Sequence, residues 1–104
     1  MDLDKKHVEI EAGVTMGELS DFLKKHKRSF PIGLSGKTGI GYILTGGISP
    51  LSRNRGLAID QIIEIKGFWG NGKEFHLLRP TTQKESYLEW KALCGAAIFL
   101  GIIT

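Results

Sequence analysis

The sequence between residues 39 and 53 is GIGYILTGGISPLSR. It lies in a longer stretch, residues 22–59, that contains seven Lys and Arg but no Asp or Glu, and half of the 14 glycines. Glycine allows a backbone to approach a ligand closely and to adopt positive φ angles. Backbone N–H groups exposed in such turns attract anions, and no nearby carboxylate cancels that attraction. The stretch therefore predicts either a solvated basic loop or a site for an anionic, phosphate-bearing ligand.

Upstream of this stretch, the sequence predicts one strand and one helix. Residues 7–11 (HVEIE) alternate apolar and polar side chains, as a strand does. Thr15 and Glu18 have the spacing of a capping box, which predicts that a helix begins there. The basic residues 24–28 (KKHKR) are expected to end that helix, because cations stabilise the negative end of a helix dipole.

Downstream, the sequence predicts a hairpin, a second helix and a final strand. Residues 58–68 are rich in Ile and predict a core strand, and residues 73–79 predict the return strand. Between them, Gly70-Asn71-Gly72 is a strong hairpin turn signal. Residues 80–84 are predicted as a loop, residues 85–93 as a helix, and the sequence from Leu100 as the beginning of a buried strand. We therefore predict an α+β fold, with a small, mostly antiparallel sheet flanked by two or more helices.

Length and composition set limits on the class of protein. The 104 residues form a single domain, and 41% hydrophobic with 24% charged residues exclude a disordered chain. One cysteine excludes a disulfide framework, and Cys94 with three scattered His residues gives no metal-ligand spacing. We expect neither a signal peptide nor a membrane span, and therefore a cytoplasmic location without a membrane partner. The basic cluster lacks interleaved aromatic residues, so no nucleic-acid partner is expected.

Two nucleotide-binding motifs are incomplete. Gly36-Lys37-Thr38 resembles the end of a P-loop, but Pro31 stands where the first glycine belongs. Gly39-Ile40-Gly41 resembles the start of a dinucleotide-binding fingerprint, but Leu44 stands where the third glycine belongs. Cys94 lies in an apolar setting typical of a buried thiol, and no catalytic arrangement of nucleophile, acid and base is visible. The sequence thus indicates a binding segment and no catalytic residues.

Four motifs, in order, resemble a known family. They are residues 8–19 (VEIEAGVTMGEL), residues 39–53, residues 54–60 (NRGLAID), and the pair 90–95 (WKALCG) and 101–104 (GIIT). Together they resemble the PCMH-type FAD-binding domain of flavoprotein oxidoreductases of the vanillyl-alcohol oxidase and berberine bridge enzyme-like type. The resemblance runs from about residue 7 to the C-terminus, and it corresponds to the second FAD-binding subdomain only.

The resemblance implies FAD as the cofactor and assigns a set of binding residues. The Gly-rich residues would line the flavin and pyrophosphate, Gly56 would support the same loop, and the last residues would approach the adenosine end. Since no cysteine precedes the Gly-rich segment, the FAD is expected to be non-covalent. Among the glycines, we expect an added Cβ to clash or strain most at Gly41 and Gly46. The residues implied to bind FAD are Gly39, Gly41, Tyr42, Thr45, Gly46, Gly47, Ser49, Gly56, Ile102 and Thr104.

The resemblance implies one part of an FAD-binding domain, because nothing matches the family's first subdomain or its substrate domain. We therefore expect a complementary FAD-binding lobe, or a second copy of the chain, as a partner, and no turnover by the chain alone. Two alternatives stay open. One is a truncated, cofactor-free interaction module that self-associates, and the other is a small phosphate- or nucleotide-binding protein that uses Lys37 and Thr38.

Overall fold

The structure is a computed structural model that describes residues 2, 4, 6–81 and 85–104, and all of their side chains except those of residues 85, 86, 98 and 99. Among these residues, three α-helices, two short 3₁₀ helices and three strands follow one another. They are α1 (Met16–Lys25), the first 3₁₀ helix (Ile40–Thr45), α2 (Ser52–Arg55), the second 3₁₀ helix (Ala58–Gln61), β1 (Glu64–Trp69), β2 (Glu74–Leu78), α3 (Glu85–Leu100) and β3 (Gly101–Ile103).

The sheet has three strands in the order β2-β1-β3, and both strand pairs are antiparallel. Lys66 lies opposite His76 in the β1–β2 pair, and Phe68 lies opposite Ile102 in the β1–β3 pair. The alternation of buried and exposed residues in β1 and β2 places one sheet face in the core. The predicted α+β class, with a small antiparallel sheet flanked by helices, is confirmed.

The predicted hairpin turn is present between β1 and β2. Trp69 donates its N–H to the Lys73 carbonyl oxygen over 2.8 Å, and Gly72 donates to the Trp69 carbonyl over 2.9 Å. The Asn71 side chain accepts a hydrogen bond from the Lys73 N–H over 3.0 Å, and Gly72 has a φ of 83°. A positive φ is accessible to glycine without steric cost, which explains why the sequence signal was specific.

The two ends of α1 follow from local sequence. Thr15 and Glu18 form the predicted capping box, in which the Thr15 N–H donates to a Glu18 carboxylate oxygen over 2.8 Å. At the other end, Lys27 donates to the Lys24 carbonyl and Arg28 to the Leu23 carbonyl, over 3.0 Å and 2.9 Å. These two bonds form a Schellman motif, and Lys27 occupies its left-handed position with a φ of 54°.

Two of the predicted strands require correction. Residues 7–11 do not form a strand: His7 makes an isolated antiparallel bridge with Asp2, and the following residues make no ladder. The predicted strand 58–68 begins only at Glu64, because residues Ala58–Gln61 form a 3₁₀ helix. The Asp60 carboxylate accepts the Leu57 N–H over 2.9 Å and closes that turn, which the Ile-rich pattern alone did not indicate.

The C-terminal helix is longer than predicted. A helix over residues 85–93 was expected, and α3 extends to Leu100 across a kink at Cys94 and Gly95. Gly95 has a φ of 119°, so the predicted end of the helix coincides with the kink. The predicted final strand is present as β3, although Ile102 is exposed rather than buried. Most of the predicted loop 80–84 lies outside the described residues.

The core has two clusters of buried side chains. The first joins the inner sheet face to α3 through Ile65, Phe75, Trp90 and Leu93, together with Leu44 from the first 3₁₀ helix. The second joins α1 to the two 3₁₀ helices, and the half-buried Ile62 packs against both clusters. Within the described part of the chain, no helix combines the length and apolar composition needed to cross a bilayer.

Candidate functional site

The Gly-rich segment is a short 3₁₀ helix followed by a tight glycine turn. The helix Ile40–Thr45 begins after Gly39 and ends at Gly46, which donates to the Ile43 carbonyl over 2.9 Å. Gly46 has a φ of 135° and Gly47 a φ of 77°. The chain can make this turn only because both residues tolerate positive φ angles, which L-residues with side chains rarely adopt.

This turn is held in place by backbone hydrogen bonds from the second 3₁₀ helix. Ala58 donates to the Gly47 carbonyl over 2.9 Å, and Ile59 donates to the Gly46 carbonyl over 3.0 Å. On the other side, Ile43 and Leu44 are buried in the two core clusters. The position of the turn is therefore fixed by the protein before any ligand binds.

A second turn continues the segment into α2. Ser49 is buried, with its hydroxyl oxygen accepting the Leu51 N–H over 3.0 Å and its N–H donating to the Ser52 hydroxyl over 2.8 Å. The helix α2 ends at Gly56, which has a φ of 77° and donates to the Ser52 carbonyl over 2.8 Å. Ser49 and Gly56 thus have structural roles that account for their residue types.

Several backbone N–H groups of the segment, that of Gly39 included, have no acceptor in the part of the chain that the structure describes. Among the described residues, none accepts a hydrogen bond from the N–H of Gly41, Gly47 or Ile48. Ile48 is 79% exposed and Tyr42 is 66% exposed, so the side chains around these donors also face outward. A fixed turn with several free donors is a suitable binding surface for a phosphate or carbonyl oxygen. Sequence reasoning did not single out Ile48, because a backbone donor leaves no signature in its residue type.

The space around the glycines differs from the expectation. A Cβ at Gly39, Gly41 or Gly46 would meet no protein atom within 4 Å. At Gly47, by contrast, a Cβ would lie 2.5 Å from the Ala58 Cβ. The expected strain at Gly46 is supported by its φ, but the expected clash at Gly41 is wrong for the chain itself. The Cβ side of Gly41 faces open space, which is available to a ligand.

The remaining two predicted residues lie on another segment. Ile102 is on β3 at the edge of the sheet, opposite Phe68, and its side chain is 73% exposed. Thr104 follows β3 and donates its N–H to the Lys66 carbonyl over 3.0 Å. Eight of the ten predicted residues therefore lie within residues 39–56, whereas Ile102 lies on the sheet and Thr104 directly follows it.

The α1 N-terminus is unavailable to a phosphate. Met16 donates its N–H to the Thr38 carbonyl over 2.8 Å, and Gly17 donates to the Gly36 carbonyl over 2.9 Å. In a P-loop the Gly-Lys-Thr sequence opens the helix whose N–H groups cradle the phosphates. Here the same tripeptide supplies carbonyl acceptors to a different helix, so the geometry does not favour the nucleotide-binding alternative.

The described residues contain no group of three His, Cys, Asp or Glu side chains that could hold a metal ion. Cys94 packs against the first core cluster at the kink of α3. Burial raises the pKa of its thiol, although the charge of Arg79 acts in the opposite direction. A half-buried thiol with a raised pKa fits a structural role for Cys94 rather than that of a nucleophile.

Comparison with known proteins identifies the family of this chain. Residues 1–78 match the family described as the FAD-binding domain. The chain belongs to the FAD-binding domain family. This membership confirms the predicted resemblance to PCMH-type FAD-binding domains and the assignment of FAD as the cofactor. It also places the chain among domains of flavin-dependent oxidoreductases, and it favours neither the interaction module nor the nucleotide-binding protein.

Relatives of this FAD-binding domain are berberine bridge enzyme-like proteins and flavin oxidases. Berberine bridge enzyme-like 5 of Arabidopsis thaliana is 31% identical over 106 residues, covering 99% of this chain and 19% of that protein. The solved structure of wild-type BBE-like 1 of Physcomitrella patens has a TM-score of 0.79 at 33% identity, covering 91% of this chain and 20% of that one. The structure of 6-hydroxy-D-nicotine oxidase from Arthrobacter nicotinovorans also has a TM-score of 0.79, at 26% identity and the same coverage. The chain thus spans about a fifth of the length of these relatives.

Proposed function

We propose that this chain forms one side of the FAD site of a flavin-dependent oxidoreductase. In this proposal the 104 residues are a single, partial FAD-binding domain that corresponds to the second subdomain. A complementary lobe, outside these residues, provides the other side of the cofactor site. The shared family and the roughly fivefold greater length of the relatives support this division.

The observation that carries the proposal is the fixed glycine turn with free donors. Gly41, Gly47 and Ile48 present N–H groups for which no described residue provides an acceptor, on a segment that carries no acidic residue. Pyrophosphate is an anion that such a surface suits, because the donors and the net positive charge both favour it. We assign the pyrophosphate and flavin to this surface, with the open Cβ side of Gly41 allowing close approach.

In this proposal the other predicted residues border the binding surface, shape its turns or contact the adenosine end of FAD. Gly39, Tyr42 and Thr45 border the surface, Thr45 with its hydroxyl bonded to the Tyr42 carbonyl over 2.7 Å. Gly46 shapes the turn, Ser49 and Gly56 hold the following one, and Ile102 with Thr104 contact the adenosine end. When bound, FAD supplies the redox chemistry, and this chain binds and orients it.

The proposal further specifies non-covalent binding and no turnover by this chain alone. Residues 29–75 contain neither His nor Cys, so the Gly-rich segment has no side chain of the usual type for a covalent flavin link. Residues 39–53 contain no His, Asp, Glu, Lys or Cys side chain that could act as a general base. The substrate-binding residues and the catalytic base would therefore be provided by other parts of the assembly. We infer a cytoplasmic location from the single cysteine alone.

Equilibrium dialysis against FAD, with two matched glycine variants, tests the proposal. Gly41→Ala and Gly13→Ala each add one methyl group where no protein atom lies within 4 Å, and neither glycine has a positive φ. We expect Gly41→Ala to weaken FAD binding at least tenfold, about 1.4 kcal/mol, and Gly13→Ala to leave it unchanged. Equal affinities for the two variants, or wild-type protein that binds no FAD at any concentration, would contradict the proposal.

A further inference from the structure

The chain turns sharply after α1, and the residue at the turn is a lysine. Lys27 has a φ of 54° in the left-handed position of the Schellman motif, where glycine is the usual residue. A side chain makes this conformation strained, and strain of this kind is concentrated at functional sites. The helix dipole favours cations in its last turn, which Lys24 and Lys25 provide, but its effect does not extend beyond that turn. The end of α1 therefore explains neither Lys27 nor Arg28, the cation that follows it.

These cations form a surface with little negative charge to compensate it. Lys25, Lys27 and Arg28 are exposed, and none of them forms an ion pair with a described carboxylate. Lys24 lies near Asp21, with 3.5 Å between its ammonium nitrogen and a carboxylate oxygen, but both side chains are exposed, so water weakens the pair. We call Lys24, Lys25, Lys27 and Arg28 the basic surface. Its positive potential attracts anionic groups.

An apolar cavity opens beside the basic surface. It has a volume of about 90 Å³ and lies between α1 and the chain that leaves it. The buried side chains of Leu19 and Leu23 line it, together with the half-buried Phe30. Lys24 and Arg28 line it as well, and no described carboxylate does. The cavity therefore joins apolar walls to two cations of the basic surface.

The size of the cavity and the charges around it define its occupant. An apolar cavity of about 150 Å³ holds benzene, so a volume of about 90 Å³ suits one aliphatic side chain, such as that of leucine. We propose that the basic surface binds an acidic segment of a partner protein, which places one aliphatic side chain in the cavity. Carboxylates on either side of that side chain pair with Lys24, Lys27 and Arg28. This partner is additional to FAD, and its binding does not rest on the proposed function.

The apolar walls favour an acidic protein segment over a nucleic acid. Phosphates would satisfy the same cations, because contacts of this kind carry most of the affinity of nucleic acids for basic surfaces. A nucleic acid, however, has no aliphatic side chain to place in the cavity, and walls left in water lose the free energy that burial provides. An acidic segment with an aliphatic residue satisfies both the cations and the cavity. The two occupants therefore differ in whether binding depends on an apolar group.

Short synthetic peptides test whether charge and an apolar side chain act together. Acetyl-Glu-Glu-Leu-Glu-Glu-amide carries both, the same peptide with alanine in place of leucine carries charge alone, and Lys-Lys-Leu-Lys-Lys reverses the charge. Each is titrated into the isotope-labelled protein without FAD, and the backbone amide shifts are followed in NMR spectra. We expect the leucine peptide to shift the amides of Leu23, Arg28 and Phe30. It should bind at least about tenfold more tightly than the alanine peptide, because it buries the larger apolar side chain, and the lysine peptide should not bind.

Three variants test whether the peptide binds at the basic surface. Arg28→Ala and Lys27→Gly should each weaken binding of the leucine peptide about two- to fivefold, which is the contribution of one exposed ion pair. Lys73→Ala removes the same charge from the hairpin and should leave the binding unchanged. Since glycine relieves the strain at position 27, weaker binding by Lys27→Gly does not come from unfolding.

Four outcomes would overturn the proposal. The first two are equal affinities for the leucine and alanine peptides, and a thymidine oligonucleotide that binds as tightly as the leucine peptide. The third is unchanged peptide binding by Lys27→Gly. The fourth is a shift of the same amides that rises with protein concentration before any peptide is added, because a second copy of the chain would then be the occupant.

Discussion

The Cβ of Ala58 lies 2.5 Å from the position that a Cβ would occupy on Gly47, and the Ala58 N–H bonds to the Gly47 carbonyl over 2.9 Å. The backbone of the glycine turn thus packs directly against the Ala58 side chain of the second 3₁₀ helix, and the space between them cannot hold one further carbon atom. This contact connects the Gly-rich segment to the core, because Ala58 belongs to the second buried cluster.

Replacement of Gly47 should therefore destabilise the fold. We expect Gly47→Ala to lower the free energy of unfolding by about 2–5 kcal/mol, since its left-handed φ costs about 1–2 kcal/mol and overpacking about 1–3 kcal/mol. Gly41→Ala, which meets no neighbour, should change it by less than about 1 kcal/mol. Urea unfolding followed by circular dichroism compares the two, and equal stabilities would show that the Gly47–Ala58 contact is not tight.

A lysine in a glycine position at the end of α1 offers a stabilising change. Lys27 has a φ of 54° at the left-handed position of the Schellman motif. We expect Lys27→Gly to raise the free energy of unfolding by about 1 kcal/mol, because glycine adopts this conformation without steric cost. Lys25→Gly removes the same charge from the last helical turn and should lower it by about 1 kcal/mol. Thermal unfolding of both variants measures the effect, and a lower melting temperature for Lys27→Gly would contradict it.

The capping box should make part of the stability depend on acid pH. Hydrogen bonds from the Thr15 backbone and hydroxyl hold the pKa of Glu18 below its ordinary value. A carboxylate with a depressed pKa in the folded state contributes stability above its unfolded pKa, about 4.3, and loses it as the pH falls through the folded pKa. The free energy of unfolding of the wild type should therefore decrease as the pH falls from about 4.3 through the folded-state pKa of Glu18.

Two variants isolate this contribution from that of Glu9, whose pKa is lowered by its bond to Lys66. Thr15→Ala should cost about 1 kcal/mol at neutral pH through the lost cap, and less below pH ~4. Glu18→Gln keeps a hydrogen-bond acceptor but cannot titrate. The free energy of unfolding of this variant should therefore depend less on pH in the acid range where Glu18 titrates. Urea unfolding between neutral and acid pH measures the profiles, and parallel curves for wild type and Glu18→Gln would be evidence against the assignment.

Close strand approach at Gly67 should make β3 sensitive to one methyl group. A Cβ on Gly67 would overlap the Ile102 carbonyl oxygen and lie 3.0 Å from the Phe75 ring. We expect Gly67→Ala to cost about 1–3 kcal/mol and to expose the β3 amides to exchange. Gly70→Ala is the matched control, because its nearest neighbour would be at an ordinary 3.5 Å. Unchanged exchange at Ile102 in the Gly67 variant would contradict the observed pairing.

Sequence signals predicted the elements that depend on local chemistry. The capping residues Thr15 and Glu18, and the glycines of the hairpin turn, act through bonds within a few residues, and each was found where predicted. The strand at residues 7–11 was wrong for a different reason. Its alternation is that of a strand, but a ladder needs a second strand, and none lies beside it in the described chain.

In the candidate site, too, the features that depend on one stretch of sequence were predicted, and those that depend on contacts between distant parts of the chain were not. The glycine content and the missing carboxylates pointed to an anion-binding segment, and both are properties of one continuous stretch. The tight contact of Gly47 with Ala58 and the free N–H of Ile48 depend on how distant parts of the chain meet. Neither leaves a periodic or compositional signal, so a clash or strain was expected at Gly41 and Gly46 and the crowding at Gly47 was not.

The most direct test of the central claim is an FAD titration of the isotope-labelled protein, followed by the backbone amide shifts in NMR spectra. If the Gly-rich segment forms one side of the FAD site, the largest shifts should occur at the amides of Gly41, Gly47 and Ile48, whose N–H groups have no acceptor among residues 2, 4, 6–81 and 85–104. The basic residues at the end of α1 should shift little. Shifts concentrated at Lys24, Lys25 and Lys27, or none within the glycine turn, would show that FAD is held by charge alone or not at all, and would contradict the account.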